Sequence, residues 1–247
     1  MDKEKILDIL VDTRAPEDVY MELTTAIRRK DKKVVSTINP NAAVVTLRDG
    51  LFRKAMLDSE IVIPDGLGIV MASRFLGGMI KRRFTGSDLL AGLSDFLNKN
   101  GKNRYFFYGC TDDVLKKLSD KVGREFPNIE IAGSYAPPFG DFSQEENEKS
   151  IKLINSANPD VLWVAMTAPK QEKWVYENRD RLNAKVIASI GAAFDYYAGT
   201  KNRGPVFLQW IGLEWLFRFF REPRRMWKRN LVSTPVFIYH VLKARLK

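Results

Sequence analysis

The chain has 247 residues, is 45% hydrophobic and carries one cysteine, Cys110, so it is long enough to bury a sizeable core in one large domain and cannot form an intramolecular disulfide. A lone cysteine fits a cytosolic site of action, with Cys110 itself read as a small packing residue. The net charge of +10 is uneven: residues 201–247 hold eleven Lys or Arg against two acids, Glu214 and Glu222, while the rest is nearly neutral, so an anionic surface or partner is expected at the carboxyl end.

Residues 1–10 carry alternating charges where a secretory signal would have an apolar run. A helical pattern over 16–30 opens at Pro16, and the first expected strand, Val34–Ile38, delivers Thr37 and Asn39 to its end. Their hydroxyl and amide suit sugar hydroxyls or phosphate oxygens, although Asn39-Pro40 is equally an ordinary turn starter. One helix is expected over 41–57. The strand Ile61–Ile63 then runs through Pro64 into Asp65-Gly66-Leu67-Gly68. A carboxylate at a strand tip, beside glycines that admit a close backbone, can serve as a general base or simply cap the helix expected over 67–77. Arg82 and Arg83 precede a helix over 87–99 that Ser87-Asp88 marks as starting, where a guanidinium and backbone N–H groups can share a diphosphate; one of the two arginines is expected to be merely solvated.

The strand Arg104–Tyr108 ends at Gly109 and Thr111 opens a helix over 112–125. Ile129–Ala132 leads to Gly133–Tyr135, and Ser143 with Glu146 forms a capping-box pattern for a helix over 143–156. The most apolar strand, Val161–Met166, precedes Ala168-Pro169-Lys170-Gln171-Glu172-Lys173-Trp174 and a helix over 170–181. Lys170 and Gln171 are expected to face the cleft, Glu172 and Lys173 to face solvent, and Trp174 to enter the core. After Val186–Ile190, Phe194 and Asp195 offer an aromatic and a carboxylate that would hold a uracil ring or equally pack in the core.

Short β-rich runs alternating with helical patterns read as an α/β fold, a mostly parallel sheet with helices on both faces. Ligands of such sheets sit beyond the carboxyl ends of the strands, the rim where all these residues fall. There is no Asp-x-Asp triplet and the single histidine is His240, so neither a metal nor another cofactor is expected, nor a Ser-His hydrolase. Gly-x-Gly-x-x-Gly and Gly-x-x-x-x-Gly-Lys phosphate loops are also missing. No stretch reaches the roughly 18–20 apolar residues that cross a bilayer. Residues 207–220 and 235–242 are nevertheless rich in apolar and aromatic side chains and flanked by basic clusters, the pattern of an element lying on an anionic leaflet. Their continuous apolar runs weigh against a nucleic-acid groove. The expected organisation is a core over 1–200 and a basic, aromatic-rich helical appendage over 201–247, with homo-oligomerisation left open.

In order along the chain, Thr37-Ile38-Asn39-Pro40-Asn41, Pro64-Asp65-Gly66-Leu67-Gly68, Arg83-x-x-Gly86-Ser87-Asp88, Tyr105 to Gly109, Pro159 to Ala165, Ala168 to Trp174, Gly191 to Asp195, and Gly212 to Leu216 with Glu222 to Arg225 together resemble the WecG/TagA/CpsF glycosyltransferases (glycosyltransferase family 26). Two departures are Thr167, where the family usually has Gly, and Arg203-Gly-Pro-Val-Phe in place of a common Arg-Ala-Pro-x-Trp. The resemblance implies a Rossmann-like core with a C-terminal membrane-facing appendage. It also implies metal-independent, inverting transfer from a UDP-sugar, foremost N-acetylmannosamine for teichoic acid, to an undecaprenyl-diphosphate-linked sugar. Other members add uronic or neutral sugars in capsule or exopolysaccharide synthesis. On that basis Asp65 is the expected base, and Arg83 with Arg218, Arg221 and Arg224 would meet the diphosphate. Thr37, Asn39 and Gln171 would orient the sugar, and Tyr135, Phe194 and Asp195 would hold the uridine. The expected partners are a UDP-sugar donor, a polyprenyl-diphosphate-linked acceptor and the anionic inner face of the cell membrane, which the protein would join peripherally from the cytoplasm, and no nucleic acid. The competing reading is a non-catalytic membrane adaptor for a nucleotide or lipid diphosphate.

Overall fold

A computed structural model of the chain describes residues 2–140, 143–202, 227 and 232–246. Its first residues form an antiparallel hairpin, β1 (Lys3–Ile6) and β2 (Ile9–Asp12), that turns through Leu7 and Asp8 and buries Ile6, Ile9 and Val11. The charge alternation seen in sequence is thus the solvent face of a hairpin, with the apolar residues turned inward.

The core is a six-stranded sheet in the order β4-β3-β8-β7-β5-β6, every neighbouring pair parallel. Its strands are β3 (Lys33–Ile38), β4 (Ile61–Pro64), β5 (Asn103–Gly109), β6 (Ile129–Tyr135), β7 (Val161–Ala165) and β8 (Val186–Ser189). Because successive side chains leave opposite faces, strands covered on both sides must be apolar throughout, and β4, β7 and β8 are buried at every position. Val35, Ile63, Tyr105, Phe107 and Trp163 face the layer of α1 (Pro16–Arg29), α5 (Gly86–Asn100), α6 (Asp112–Glu125) and α9 (Ala193–Tyr197). The opposite face packs on α2 (Pro40–Val45), α3 (Gly50–Asp58) and α4 (Leu67–Leu76) beside the hairpin, and farther along on α7 (Gln144–Ala157) and α8 (Lys170–Asn178).

Several expected boundaries move for local reasons. The single helix expected over 41–57 is two, because Asp49 leaves helical geometry and its carboxylate accepts the Phe52 N–H at 3.0 Å to start α3. The helix expected from Ser87 starts at Gly86, since Thr85 is the cap: Thr85 Oγ1 accepts the Asp88 N–H and the Asp88 carboxylate accepts the Thr85 N–H. The expected helix over 170–181 gives way at Arg179 to a single 3-10 turn, where that guanidinium reaches Asp58 and Glu60.

Most of the expected appendage, including Arg218, Arg221 and Arg224, lies outside the described residues. Its last helix, α10 (Thr234–Arg245), packs against α2 and α4, with Phe237 and Val241 buried in the same apolar cluster as the hairpin. Among the described residues no helix is long and apolar enough to cross a membrane.

Candidate active site

All six strands of the sheet being parallel, their carboxyl ends share one rim. The helix after β3 lies on one face and the helix after β8 on the other, although β3 and β8 are neighbours. Such a reversal opens a crevice between strand ends, the usual ligand position in doubly wound sheets. Asn39 leaves β3 and Gly191 follows β8 at this crevice, and β4 delivers Asp65 one strand away.

Backbone contacts draw several expected residues together. The Asp65 N–H donates to Ile38 O at 2.7 Å, tying the tip of β4 to that of β3 beside Asn39. Phe84 N–H donates to Pro64 O at 2.8 Å, which seats the neighbouring Arg83 beside the Asp65 turn. The first turn of α5 completes this wall: a Cβ on Gly86 would meet Ile190 at the end of β8 at 2.8 Å. Asp65 is half-buried and does not occupy the cap position of α4, which belongs to Gly66 at φ 103°, a conformation suited to glycine. Asn39 does cap α2, its Oδ1 accepting the Ala42 N–H at 3.0 Å, so its amide nitrogen is the end that can donate outward. Thr37 is buried on the α5 side of β3, paired in register with Ile63. Of the two arginines, Arg82 is the surface one, paired with Glu17 at 3.0 Å.

A second group lies under the β7 and β8 tips. Gln171 is only 2% exposed: its Oε1 accepts the Met166 N–H at 3.1 Å and its Nε2 donates to Glu172 at 2.8 Å. Both ends of the amide are thereby engaged within the protein, holding the end of β7 against Gly191. Phe194 is fully buried, edge-to-face with Phe107 at 5.4 Å, so its ring belongs to the core. Asp195 stays half-buried, pairs with Lys201 at 3.2 Å and accepts a long contact from the Cys110 thiol at 3.8 Å. Burial, reinforced by the Asp195 charge, pushes that thiol up to about 11, which makes Cys110 a poor nucleophile. Tyr135 ends the edge strand β6, five strand spacings from β4, or about 24 Å at about 4.8 Å each. Its hydroxyl donates to Glu146 at 2.6 Å and accepts from Lys149 at 2.7 Å. Among the described residues no cluster of three or more His, Cys, Asp or Glu is placed to hold a metal ion.

Glu172 corrects the expectation of a surface residue, being buried together with Gln171. Helix α8 buries Gln171, Glu172, Trp174, Val175 and Asn178 and packs against α3, so more of its surface is covered than one face. Among the described residues its Oε2 has no hydrogen-bond partner. Burial, partly offset by the Gln171 N–H, pushes this carboxyl up to about 7 from 4.5. The folded state therefore binds the proton more tightly than the unfolded chain, and stability falls as pH rises from the unfolded value to the folded one. Glu172→Gln, which still accepts from Gln171 but cannot ionise, should stabilise the protein by up to about 3 kcal/mol at pH 8 and by nothing at pH 4. Thermal unfolding at both pH values checks this; an equal shift at the two would reject it.

With this geometry in hand, the sequence model of the Glycosyl transferase WecG/TagA/CpsF family matches residues 4–247. The chain is 35% identical over 217 residues to the N-acetylglucosaminyldiphosphoundecaprenol N-acetyl-beta-D-mannosaminyltransferase of Bacillus subtilis (strain 168), covering 88% of this chain and 82% of that one. It is 30% identical over 220 residues to the protein of that name from Bacillus spizizenii (strain ATCC 23059 / NRRL B-14472 / W23), covering 89% and 82%. The protein of that name from Staphylococcus aureus (strain MW2) is 26% identical over 215 residues, covering 86% and 81%.

Proposed function

The chain belongs to the WecG/TagA/CpsF glycosyltransferase family, and from that premise we propose that it transfers N-acetylmannosamine from a UDP-linked donor to N-acetylglucosaminyl-diphosphoundecaprenol, with inversion and without a metal. The observation that supports this reading is that backbone hydrogen bonds hold Asp65 and the Arg83 turn together on the carboxyl rim, one strand from the β3–β8 crevice. Asp65 takes the proton from the acceptor hydroxyl as that oxygen attacks the anomeric carbon. The bond from that carbon to the diphosphate oxygen breaks, and UDP leaves with the electron pair. A base so placed contributes about 10² to 10⁴ in rate. Arg83, joined by Arg218, Arg221 and Arg224 from the carboxyl-terminal segment, meets the charge that develops on the diphosphate. Asn39 and Thr37 orient the sugar. Gln171 and Phe194 act from beneath, by holding the β7 and β8 tips, and the nucleoside runs along the rim towards Asp195, short of Tyr135 at the far edge of the sheet. The acceptor is lipid-borne, and the basic carboxyl end supports docking on the anionic inner face of a membrane.

A panel of UDP-sugars with a short-chain polyprenyl-diphosphate N-acetylglucosamine acceptor, read by released UDP and product mass, tests the proposal. UDP-N-acetylmannosamine should give one added sugar. Turnover with a UDP-uronic acid or UDP-glucose instead would move the assignment to another sugar, and no UDP release with any donor would favour the adaptor reading. Arg218→Ala/Arg221→Ala/Arg224→Ala should lower turnover by about 10² or more while donor binding persists, and unchanged turnover would remove these arginines from the site.

A further inference from the structure

Outside the crevice, the described residues include an apolar surface shared by α4 and α10. Met71 and Phe75, one helical turn apart on α4, and Met79 just beyond its end are 68%, 46% and 60% exposed. On α10, Phe237 and Val241 are buried while Ile238, Tyr239 and Leu242 are turned to the outside. The two helices pack together, and the Arg245 guanidinium sits 5.9 Å from the centre of the Phe75 ring, so the exposed sets meet in one surface.

The two segments that form this surface contribute cations and no acid. Residues 66–83 contain four Lys or Arg and no acid, and residues 232–247 contain three and no acid. Glu4 reaches the surface from the hairpin, one carboxylate oxygen accepting the Met79 N–H, and Glu17 pairs with Arg82. Exposed Met, Phe, Ile, Leu and Tyr side chains bordered mainly by cations match the boundary between headgroups and acyl chains of an anionic bilayer. Position supports the same occupant. Helix α4 begins two residues after Asp65, and Met71 lies about 6 Å along the axis from Leu67 at 1.5 Å per residue. A bilayer held against α4 would bring the diphosphate end of a membrane-anchored acceptor close to the β4 tip.

We propose that Met71, Phe75 and Met79 of the core, together with the outer face of α10, form a two-helix surface that inserts shallowly into an anionic leaflet. This inference rests on the transferase reading for its purpose, but the surface itself is tested separately. The full-length protein and its Met71→Gln/Phe75→Ser/Met79→Gln variant are compared for co-sedimentation with phosphatidylglycerol–phosphatidylcholine vesicles and with pure phosphatidylcholine vesicles, and for sedimentation mass without lipid. The partition of the variant onto the anionic vesicles should fall by about a hundredfold. Its turnover of a water-soluble short-chain acceptor should be unchanged, and its turnover of a vesicle-embedded long-chain acceptor should fall with the partition. Unchanged partition overturns the proposal. So does a change in sedimentation mass with partition intact, which would make the surface a contact between copies of this chain. If neither protein turns over the short-chain acceptor with any UDP-sugar, the transferase reading fails while the vesicle comparison still decides the surface.

Discussion

Asp65→Asn should lower turnover by about 10² to 10⁴ while leaving the affinity for the UDP-sugar intact, because the amide keeps the shape of the carboxylate but cannot take a proton near neutral pH. The turn that carries the side chain is fixed independently of its charge, by the Asp65 N–H bond to Ile38 O and by Gly66 at the start of α4. The variant should therefore fold normally, and the loss should appear in kcat rather than KM. Isothermal titration with the donor and steady-state kinetics with the short-chain acceptor separate the two. Near-normal turnover would remove Asp65 from the chemistry, whereas a matching collapse of donor binding would make it a substrate ligand instead.

Gly109→Ala should destabilise the protein by more than about 4 kcal/mol, as measured by denaturant unfolding. Gly109 closes β5 at φ 112°, a conformation that L side chains rarely adopt, and an added Cβ would be driven into the carbonyl of Ala165 at the end of β7. That carbonyl already accepts the Cys110 N–H at 2.9 Å, so it has little freedom to move aside. A loss under about 1 kcal/mol would mean that the two strand tips can separate without consequence for the sheet.

The strands were legible because both of their faces are covered. Val161–Ala165 is apolar at every position and Val186–Ser189 at all but its last, and such runs stand out from the amphipathic helices between them. The rim was legible for the same reason, since each run ends in a glycine, a polar residue or a carboxylate. Lateral order was not. Sequence gives no hint that β8, the last strand of the sheet, lies between β3 and β7, and hence that Tyr135 ends at the edge far from Asp65. Nor does local pattern show which polar side chains turn inward: Gln171, expected to face the cleft, and Glu172, expected to face solvent, are both buried in α8, a helix that packs on α3 from more than a hundred residues earlier. The amino-terminal hairpin escaped notice because Ile6, Ile9 and Val11 are too few to rise above the charges around them. The alternatives for Phe194 could be posed from sequence but separated only by packing, which makes it a core ring, while Asn39 caps α2 through Oδ1 and keeps its amide nitrogen available.

One apolar cluster gathers Ile6, Ile9 and Val11 from the beginning of the chain and Phe237 and Val241 from its end, around Ile38 and Val62 of the sheet. A ribosome delivers these pieces far apart in time: at about 5–20 residues per second, the hairpin waits roughly 10–50 s for α10 to emerge. Until then the nascent polypeptide exposes the flank of α2 and α4 that α10 will cover. Vectorial synthesis thus leaves the half of the molecule that bears Asp65 open longest, and a premature stop anywhere before α10 would leave that flank uncovered.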